Sequence, residues 1–596
     1  LKSFPYRSFF RHSIRVILPF NWLEDLLSGL KERIRVARGV GDVDLLLTNC
    51  KLVNVLSGTV HPASIAVVGD TVVGIDGGYS ARTIVDVEGK YVAPGFADAH
   101  VHLESSMVSV AGFAEAVVPR GITTVFTDCH EIANVMGLEG IRYISGSAAD
   151  TPMDVFIMLP PCVPATPLET SGAVLEAEDL EPMVGEPGVI GLGELMNFPG
   201  TIAGDPGIIA KLGLFPDGPV DGHAPGLSGK DLSAYIAAGP DSDHECTTVE
   251  EAREKLRKGM YVFMREGTGA RNLLDLLPVV NAGNSTRLCL CTDDRHPADI
   301  LARGSVDSMI GTAIGQGVSP VAAIQMATIN PARRFGLRGR GAVAVGCRAD
   351  MVVMSDLESV SVDMVFKDGR LVAQGGELTV QAGRAAIIPP SSFNVSGFSK
   401  DRLRIPASAD RARVVGLVPD QIVTRSLPAD IPSDKGDAVP DTTRDILKIA
   451  VVERHKGTGN IGLGFVSGFG LERGAIASSV AHDSHNIVAV GTSDEDIAAA
   501  VGRIIEMGGG QVVAAAGEVR ASVSLPIAGL MSPLPLQDVA KETEKLHSVS
   551  AELGCRVRDP FMTMSFLALP VIPELKLTDR GLVDVGKFEI VPLFTG

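Results

Sequence analysis

From Val43 onward the chain runs in short stretches where apolar and polar positions alternate, DLLLTNCKLVNV, ASIAVVGDTVVGID and TIVDVEGKYVAPG, separated by glycine-containing turns. A period of two puts successive side chains on opposite faces, so these stretches predict half-buried strands. The same texture returns over residues 341–374, in GAVAVGCRADMVVMSD and VDMVFKDGRLVAQG. Two distant segments of one character predict a single small β-sandwich, split into 41–93 and 337–390 by whatever lies between them.

The intervening span, 94–336, has another rhythm. Apolar runs (GITTVFTD, DVFIML, VIGLGEL, PVDGH, YVFMRE, RLCLCTDD) alternate with helical stretches, and each run ends in a polar loop. Its length, about 240 residues, suits a (β/α)₈ barrel, for which about 250 is typical and in which chemistry sits at the C-terminal ends of the strands. Polar residues that close an apolar strand are therefore the candidates. Beyond a Pro- and Ser-containing junction near 386–410, ILKIAVVER, GAIASSVA, NIVAVG and GQVVAAAG alternate with helices such as DEDIAAAVGRIIEM. This predicts a separate C-terminal α/β domain over 411–596. The expected fold class is thus α/β: a (β/α)₈ barrel inserted in a small β-sandwich, plus the C-terminal domain. Residues 1–40 read as an N-terminal extension. Lys2, Arg7, Arg11 and Arg15, with no acid before Glu24, loosely match a transit peptide, but a helical extension without catalytic content is the expectation.

Composition narrows the partners. The 596 residues are 45% hydrophobic and 21% charged, enough for large cores and more than one domain. A net charge of -18 opposes extended contact with nucleic acid or an anionic membrane surface. The apolar runs are broken by Gly, Pro or charge well before the roughly 20 residues of a membrane span. Eight cysteines without a CxxC pair fit a reducing cytoplasm better than a disulfide framework.

The sharpest chemical signal is Asp98-Ala99-His100-Val101-His102, directly after YVAPGFA. Side chains at i and i+2 of a strand share a face, so His100 and His102 can reach one ion together. Taken alone, two histidines on a strand are as easily structural. Glu194 closes VIGLGE, His223 closes PVDGH, His244 follows PDSD and Asp293 closes RLCLCTD. The spacings agree with one another: 92 residues from His102 to Glu194 fit three βα units, 29 and 21 fit one each, and 49 fit two, at roughly 30 residues per unit. These residues then fall on barrel strands 1, 4, 5, 6 and 8. Four imidazoles and two carboxylates exceed one tetrahedral site and suit two divalent ions. His100 and His102 are expected on the first ion, His223 and His244 on the second, Glu194 between them, and Asp293 beside the attacking hydroxide as general base. Nitrogen and oxygen donors without thiolate admit Zn, Mn or Fe(II).

The HxH after a Pro-Gly-Phe-Ala-Asp lead-in, the two later histidines and the last-strand Asp, framed by a split β domain, resemble the amidohydrolase superfamily. HVHLESSM, TDCHEIANV, GELMNFPG, DGHAPGLSG, SDHECTT, MREGTGARN and CTDDRHP resemble the bacterial adenine deaminase family within it, as do VERHKGTGNIG and AHDSHNIVAVG near the C-terminus. The resemblance spans about 40–596. It implies hydrolytic deamination of adenine to hypoxanthine and ammonia, as in purine salvage, at two divalent ions, with Mn or Fe(II) favoured and Zn open. Where hydantoinase-like and dihydroorotase-like relatives carry a carboxylated lysine, this chain offers Glu194. The expected partner is the small molecule adenine, with no nucleic acid or membrane, and the expected assembly is a cytoplasmic homodimer.

Substrate contacts are sought among polar residues near strand ends. His130, Glu131, Glu266, Arg295 and His296 are the candidates, with Arg265, Glu104, Ser105 and Ser106 also in reach; each could instead be a loop salt bridge or a brace for a metal ligand. Asp294 is expected to be structural. His482, Asp483 and His485 in AHDSH could cap the barrel mouth, but a solvated turn is the expectation. The cytidine-deaminase signature is half matched by His102-Leu103-Glu104 and lacks its PCxxC. No P-loop or GxSxG motif is present, and the Gly-rich stretch IGLGFVSGFG misses GxGxxG because Ser467 takes the third glycine's place. Three other readings stay open: a cyclic-amide hydrolase, which would open a ring without releasing ammonia; a silent scaffold, which would usually have lost a ligand; and a peroxide side reaction if iron fills the centre.

Overall fold

The structure, a computed structural model, describes residues 22–383, 387–419 and 421–595. The basic stretch read as a possible transit peptide lies outside the described residues. A helix, Trp22–Ala37, leads into the first strand.

The two alternating segments do come together. Tyr91–Pro94 pairs antiparallel with Met351–Asp356, Val92 opposite Val353, so strands from both ends of the insertion share one sheet. That sheet is continuous and nine-stranded. A small β-sandwich was expected, and the strands of both segments are hydrogen-bonded into one sheet: the alternation marks strands, but the choice of edge that each strand bonds to is made by tertiary packing.

Between these segments lie eight short parallel strands: β1 Phe96–Val101, β2 Ile122–Asp128, β3 Asp154–Leu159, β4 Val189–Leu195, β5 Val220–Gly222, β6 Ser242–Asp243, β7 Tyr261–Arg265 and β8 Leu288–Cys291. Each is followed by at least one helix before the next begins. β1 to β5 form a curled five-stranded sheet and β6 to β8 a three-stranded one. The sheets meet at both edges through backbone hydrogen bonds. Asp241 N–H donates to Val220 C=O at 3.2 Å on one side, and Asp293 N–H donates to His100 C=O at 3.0 Å on the other. Ala97, Ala99, Phe126, Met158, Phe263, Cys289, Cys291 and Phe335 pack together as a buried cluster. On β1, β2, β7 and β8 these residues precede candidate site residues, so apolar packing fills one end and the polar chemistry gathers at the other.

The C-terminal region forms an eight-stranded sheet with the helices Asp494–Met507 and Leu536–Glu552, followed by a three-stranded sheet. It docks firmly on the strand ends. Ser532 exchanges backbone hydrogen bonds with the segment after His102: Ser109 N–H to Ser532 C=O at 3.0 Å and Ser532 N–H to Met107 C=O at 2.8 Å. Asp579 accepts from both the N–H and the hydroxyl of Thr170, at 2.8 and 2.7 Å. One apolar cluster runs from Val101, Leu103 and Val108 to Leu530, Met531 and Phe561 without a break. Burial shared in this way fixes the C-terminal domain against the site.

Candidate active site

Chain direction brings the candidates together. His100 lies on β1 with His102 just past its end, Glu194 on β4, His223 and His244 immediately after β5 and β6, and Asp293 two residues after β8. Glu194 is the centre of the group and is 3% exposed. Its Oε1 lies 3.2 Å from His102 Nε2, and its Oε2 lies 2.6 Å from His223 Nδ1 and 3.3 Å from His244 Nε2. Asp293 Oδ1 stands 3.0 Å from His102 Nε2 and 3.7 Å from His100 Nε2. The trios His100/His102/Glu194, Glu194/His223/His244 and His100/His244/Asp293 each bring their donor atoms within 4.8 Å of one another.

This donor set fits divalent cations. His102 Nδ1 lies 3.0 Å from the Asp128 carbonyl, which can only accept, so Nδ1 carries the proton and Nε2 presents a lone pair. That lone pair faces His100 Nε2 at 3.2 Å and two carboxylate oxygens. So many lone pairs converging in a buried space call for positive charge between them.

Behind the donors lies a set of buried aspartates. Asp128 accepts from the N–H of His130 at 3.0 Å and of Glu194 at 2.7 Å, tying β2 to β4. The approach requires glycine at 193, where a Cβ would collide with the Asp128 carboxylate. Asp243 accepts from Ala224 N–H at 2.8 Å and from the buried Lys255 ammonium at 2.9 Å, and so holds the loops that carry His223 and His244. Asp98 binds the Thr292 N–H at 3.0 Å across the β1–β8 seam. Burial pushes its carboxyl up to about 7 against those hydrogen bonds. Tyr235 accepts from His223 N–H at 3.1 Å and donates to Leu195 C=O at 2.8 Å. Arg265 donates to Asp293 Oδ2 at 2.9 Å and to Glu245 at 3.1 Å, leaving Asp293 Oδ1 turned to the imidazoles. Burial opposes ionisation of Asp293, yet His102 and Arg265 hold its carboxyl well below the usual range.

The substrate-side candidates divide. His130 faces the centre, its Nδ1 3.2 Å from Glu194 Oε1 and its Nε2 3.3 Å from Glu131 Oε1. Glu131 is buried and bonded to His482 Nδ1 and His485 Nε2. Glu266 is half-buried. Arg295 donates to the Glu266 carbonyl at 2.9 Å, and His296 Nδ1 lies 3.5 Å from Asp559 of the C-terminal region. Ser105 bonds Asp294, and Glu104 accepts from Ile132 N–H at 3.1 Å while its Oε2 is buried without a hydrogen-bond partner. Burial pushes the Glu104 carboxyl up to about 7.

The solvated turn expected at AHDSH is not what forms. His482 and His485 are 4% and 1% exposed, and Asp483 comes within 3.9 Å of His130 Nε2. The loop is held down by Arg454, which donates to the His485 carbonyl, and by His455, which bonds the Ser484 carbonyl at 2.7 Å. Five polar residues in a row look solvated from local sequence; the docking that buries them is made by contacts hundreds of residues away. The bracing residues Asp128, Asp243 and Glu245 carry no signal of that role in the sequence, although each stands one or two positions from a singled-out histidine.

Such strand ends, with histidine, glutamate and aspartate gathered at one face, define a hydrolase of the amidohydrolase class: the model of the Amidohydrolase family matches residues 91–372. The model of the Adenine deaminase C-terminal domain matches residues 421–589. A protein named adenine deaminase from Desulfatibacillum aliphaticivorans is 50% identical, the match covering 94% of this chain and 99% of that one. Adenine deaminase 2 of Carboxydothermus hydrogenoformans is 48% identical over 95% and 99%. Among solved structures, a dihydropyrimidinase from Brevibacillus agri is similar over 58% of this chain and 99% of its own, at a TM-score of 0.44 and 15% identity. The chain belongs to the adenine deaminase family of amidohydrolases.

Proposed function

We infer that this chain hydrolyses adenine to hypoxanthine and ammonia. The observation that carries the reading is its likeness to proteins named adenine deaminase along nearly the whole length of both chains. We read the ring of eight strands as a (β/α)₈ barrel over 94–336, inserted between 41–93 and 337–390 and capped by 411–596. The two-sided placement of Glu194 supports a binuclear centre: His100 and His102 on one ion, His223 and His244 on the other, Glu194 between, with Asp293 beside them.

Divalent ions held there would supply hydroxide at neutral pH, since coordination lowers the pKa of water from about 15.7 toward about 7. The chain's own part is positional and protic. Asp293, forked by Arg265 so that one oxygen faces the centre, takes the proton from the nucleophile and returns it to the amino group leaving C6 of the purine. His130, whose ring spans from Glu194 to Glu131, is placed to answer charge that develops on the purine nitrogens. Glu266 is proposed to meet the substrate from the mouth. Arg295 and His296, already engaged by Glu266 and Asp559, would shape the wall beside it.

Mn or Fe(II) suits this donor set, and Zn does too. A cytoplasmic homodimer is proposed with it; no helix among the described residues is long and apolar enough to cross a membrane. Adenine loss followed by ultraviolet absorbance, alongside ammonia release, tests the activity. Equimolar hypoxanthine and ammonia is the expected result; ring opening without ammonia would return the chain to the cyclic-amide hydrolases.

A further inference from the structure

We propose that His482 and His485 of the C-terminal domain are positioning residues of the deaminase site: they clamp Glu131, and Glu131 in turn sets the His130 ring against Glu194. The inference rests on the deaminase reading above and gives the C-terminal domain a part in it.

The geometry is specific about which atom does what. His485 Nδ1 accepts a hydrogen bond from the Ala481 N–H at 3.1 Å. A ring nitrogen that accepts has no proton, so the proton sits on Nε2, the atom bonded to Glu131 Oε2. His485 is therefore a donor to a carboxylate and is excluded as a metal ligand through that nitrogen. His482 reaches the other oxygen, Oε1, through Nδ1, and its ring lies on Phe566 with centroids 4.8 Å apart and planes 12° from parallel. Both oxygens of Glu131 are thus fixed from the C-terminal domain. Oε1 also faces His130 Nε2 at 3.3 Å, and His130 Nδ1 faces Glu194 Oε1 at 3.2 Å. An unbroken series, His482/His485, Glu131, His130, Glu194, links a loop more than 350 positions beyond Glu131 in sequence to the carboxylate at the middle of the site.

Charge fits the geometry. Burial opposes ionisation of Glu131, yet His482, His485 and His130 hold its carboxyl well below the usual range. Burial likewise opposes charge on His482, but Glu131 and Asp294 raise it to about 9, while burial brings His485 down to about 4. The carboxylate meets one cationic and one neutral donor. The bracing loop is itself anchored, through Arg454, His455 and the Asn486 amide, which donates to Thr170 C=O at 2.8 Å.

The test uses amides that copy one ring nitrogen each. Glutamine places its NH₂ near the position of histidine Nε2 and asparagine near Nδ1. H485Q and H482N therefore keep the donor to Glu131, whereas H485A and H482A remove it. Each alanine variant, purified as the full chain with its metal, is expected to lose about 10- to 100-fold in kcat for adenine, with KM and metal content close to wild type, because supporting groups of this kind act at that level. H485Q and H482N are expected to recover most of the loss, and in an E131Q background the histidine changes are expected to add little further. Recovery that fails in both matched variants, a loss of metal parallel to the loss of kcat, or turnover within twofold of wild type in H482A/H485A would each overturn the proposal. A wild-type enzyme that releases no ammonia from adenine would instead overturn the deaminase reading beneath it.

Discussion

His102 and His485 lie in one buried polar network, yet the backbone gives them opposite chemistry. The ring of His102 leans on a carbonyl, the C=O of Asp128, and so presents a bare Nε2 to the centre of the site. The ring of His485 leans on an N–H, that of Ala481, and so presents a protonated Nε2 to Glu131. One backbone partner leaves a bare lone pair and the other leaves a donor. The two histidine clusters are alike in composition and in burial; what separates them is the polarity of the group at each ring's far side.

Identical substitutions should split the two. H102Q replaces a ring lone pair with an amide and is expected to lose bound metal and turnover together, by on the order of 10³-fold or more given how much preorganised electrostatics contributes. The same change at 485 keeps its donor and is expected to retain most turnover. Glu194→Ala should match H102Q, since it removes the one carboxylate that faces both imidazole pairs; elemental analysis reads the metal and ammonia release the rate. Asp293→Asn should keep the metal and lose about 10²- to 10⁴-fold in kcat, the range associated with a general acid–base group. Asp128→Asn comes next. It weakens the tie from β2 to Glu194 and is expected to cost about 10- to 100-fold in metal affinity or activity, measured by competition with a chelator. Lys255→Met should act least on turnover and most on folding. Removing the ammonium strands the buried Asp243 carboxylate, and a loss of roughly 3–5 kcal/mol in unfolding free energy is expected from denaturant titration.

The sequence reveals the first cluster far more readily than the second. His100 and His102 are two apart at the end of an apolar strand, Glu194, His223 and Asp293 each close a strand-like run and His244 follows PDSD, so strand period and βα spacing put them at one face. Glu131 carries the same kind of local signal, but its partners His482 and His485 do not. They sit in a polar loop whose burial accompanies the docking of Ser532 and Asp579 on loops that follow the parallel strands, and no local periodicity reports a contact of that range. The β strands flanking the insertion show the same limit. Alternation identifies Tyr91–Pro94 and Met351–Asp356 as strands, whereas their pairing into one nine-stranded sheet depends on edges that alternation does not rank.

The proposed convergence of six side chains on two cations is tested most directly by stripping the protein of metal and titrating it with Mn(II) while following ammonia release from adenine. Activity should climb until two equivalents per chain are bound and then level off, and Glu194→Ala should show no such rise. A plateau at one equivalent, or ammonia release that is indifferent to added metal, would contradict a shared centre built around Glu194.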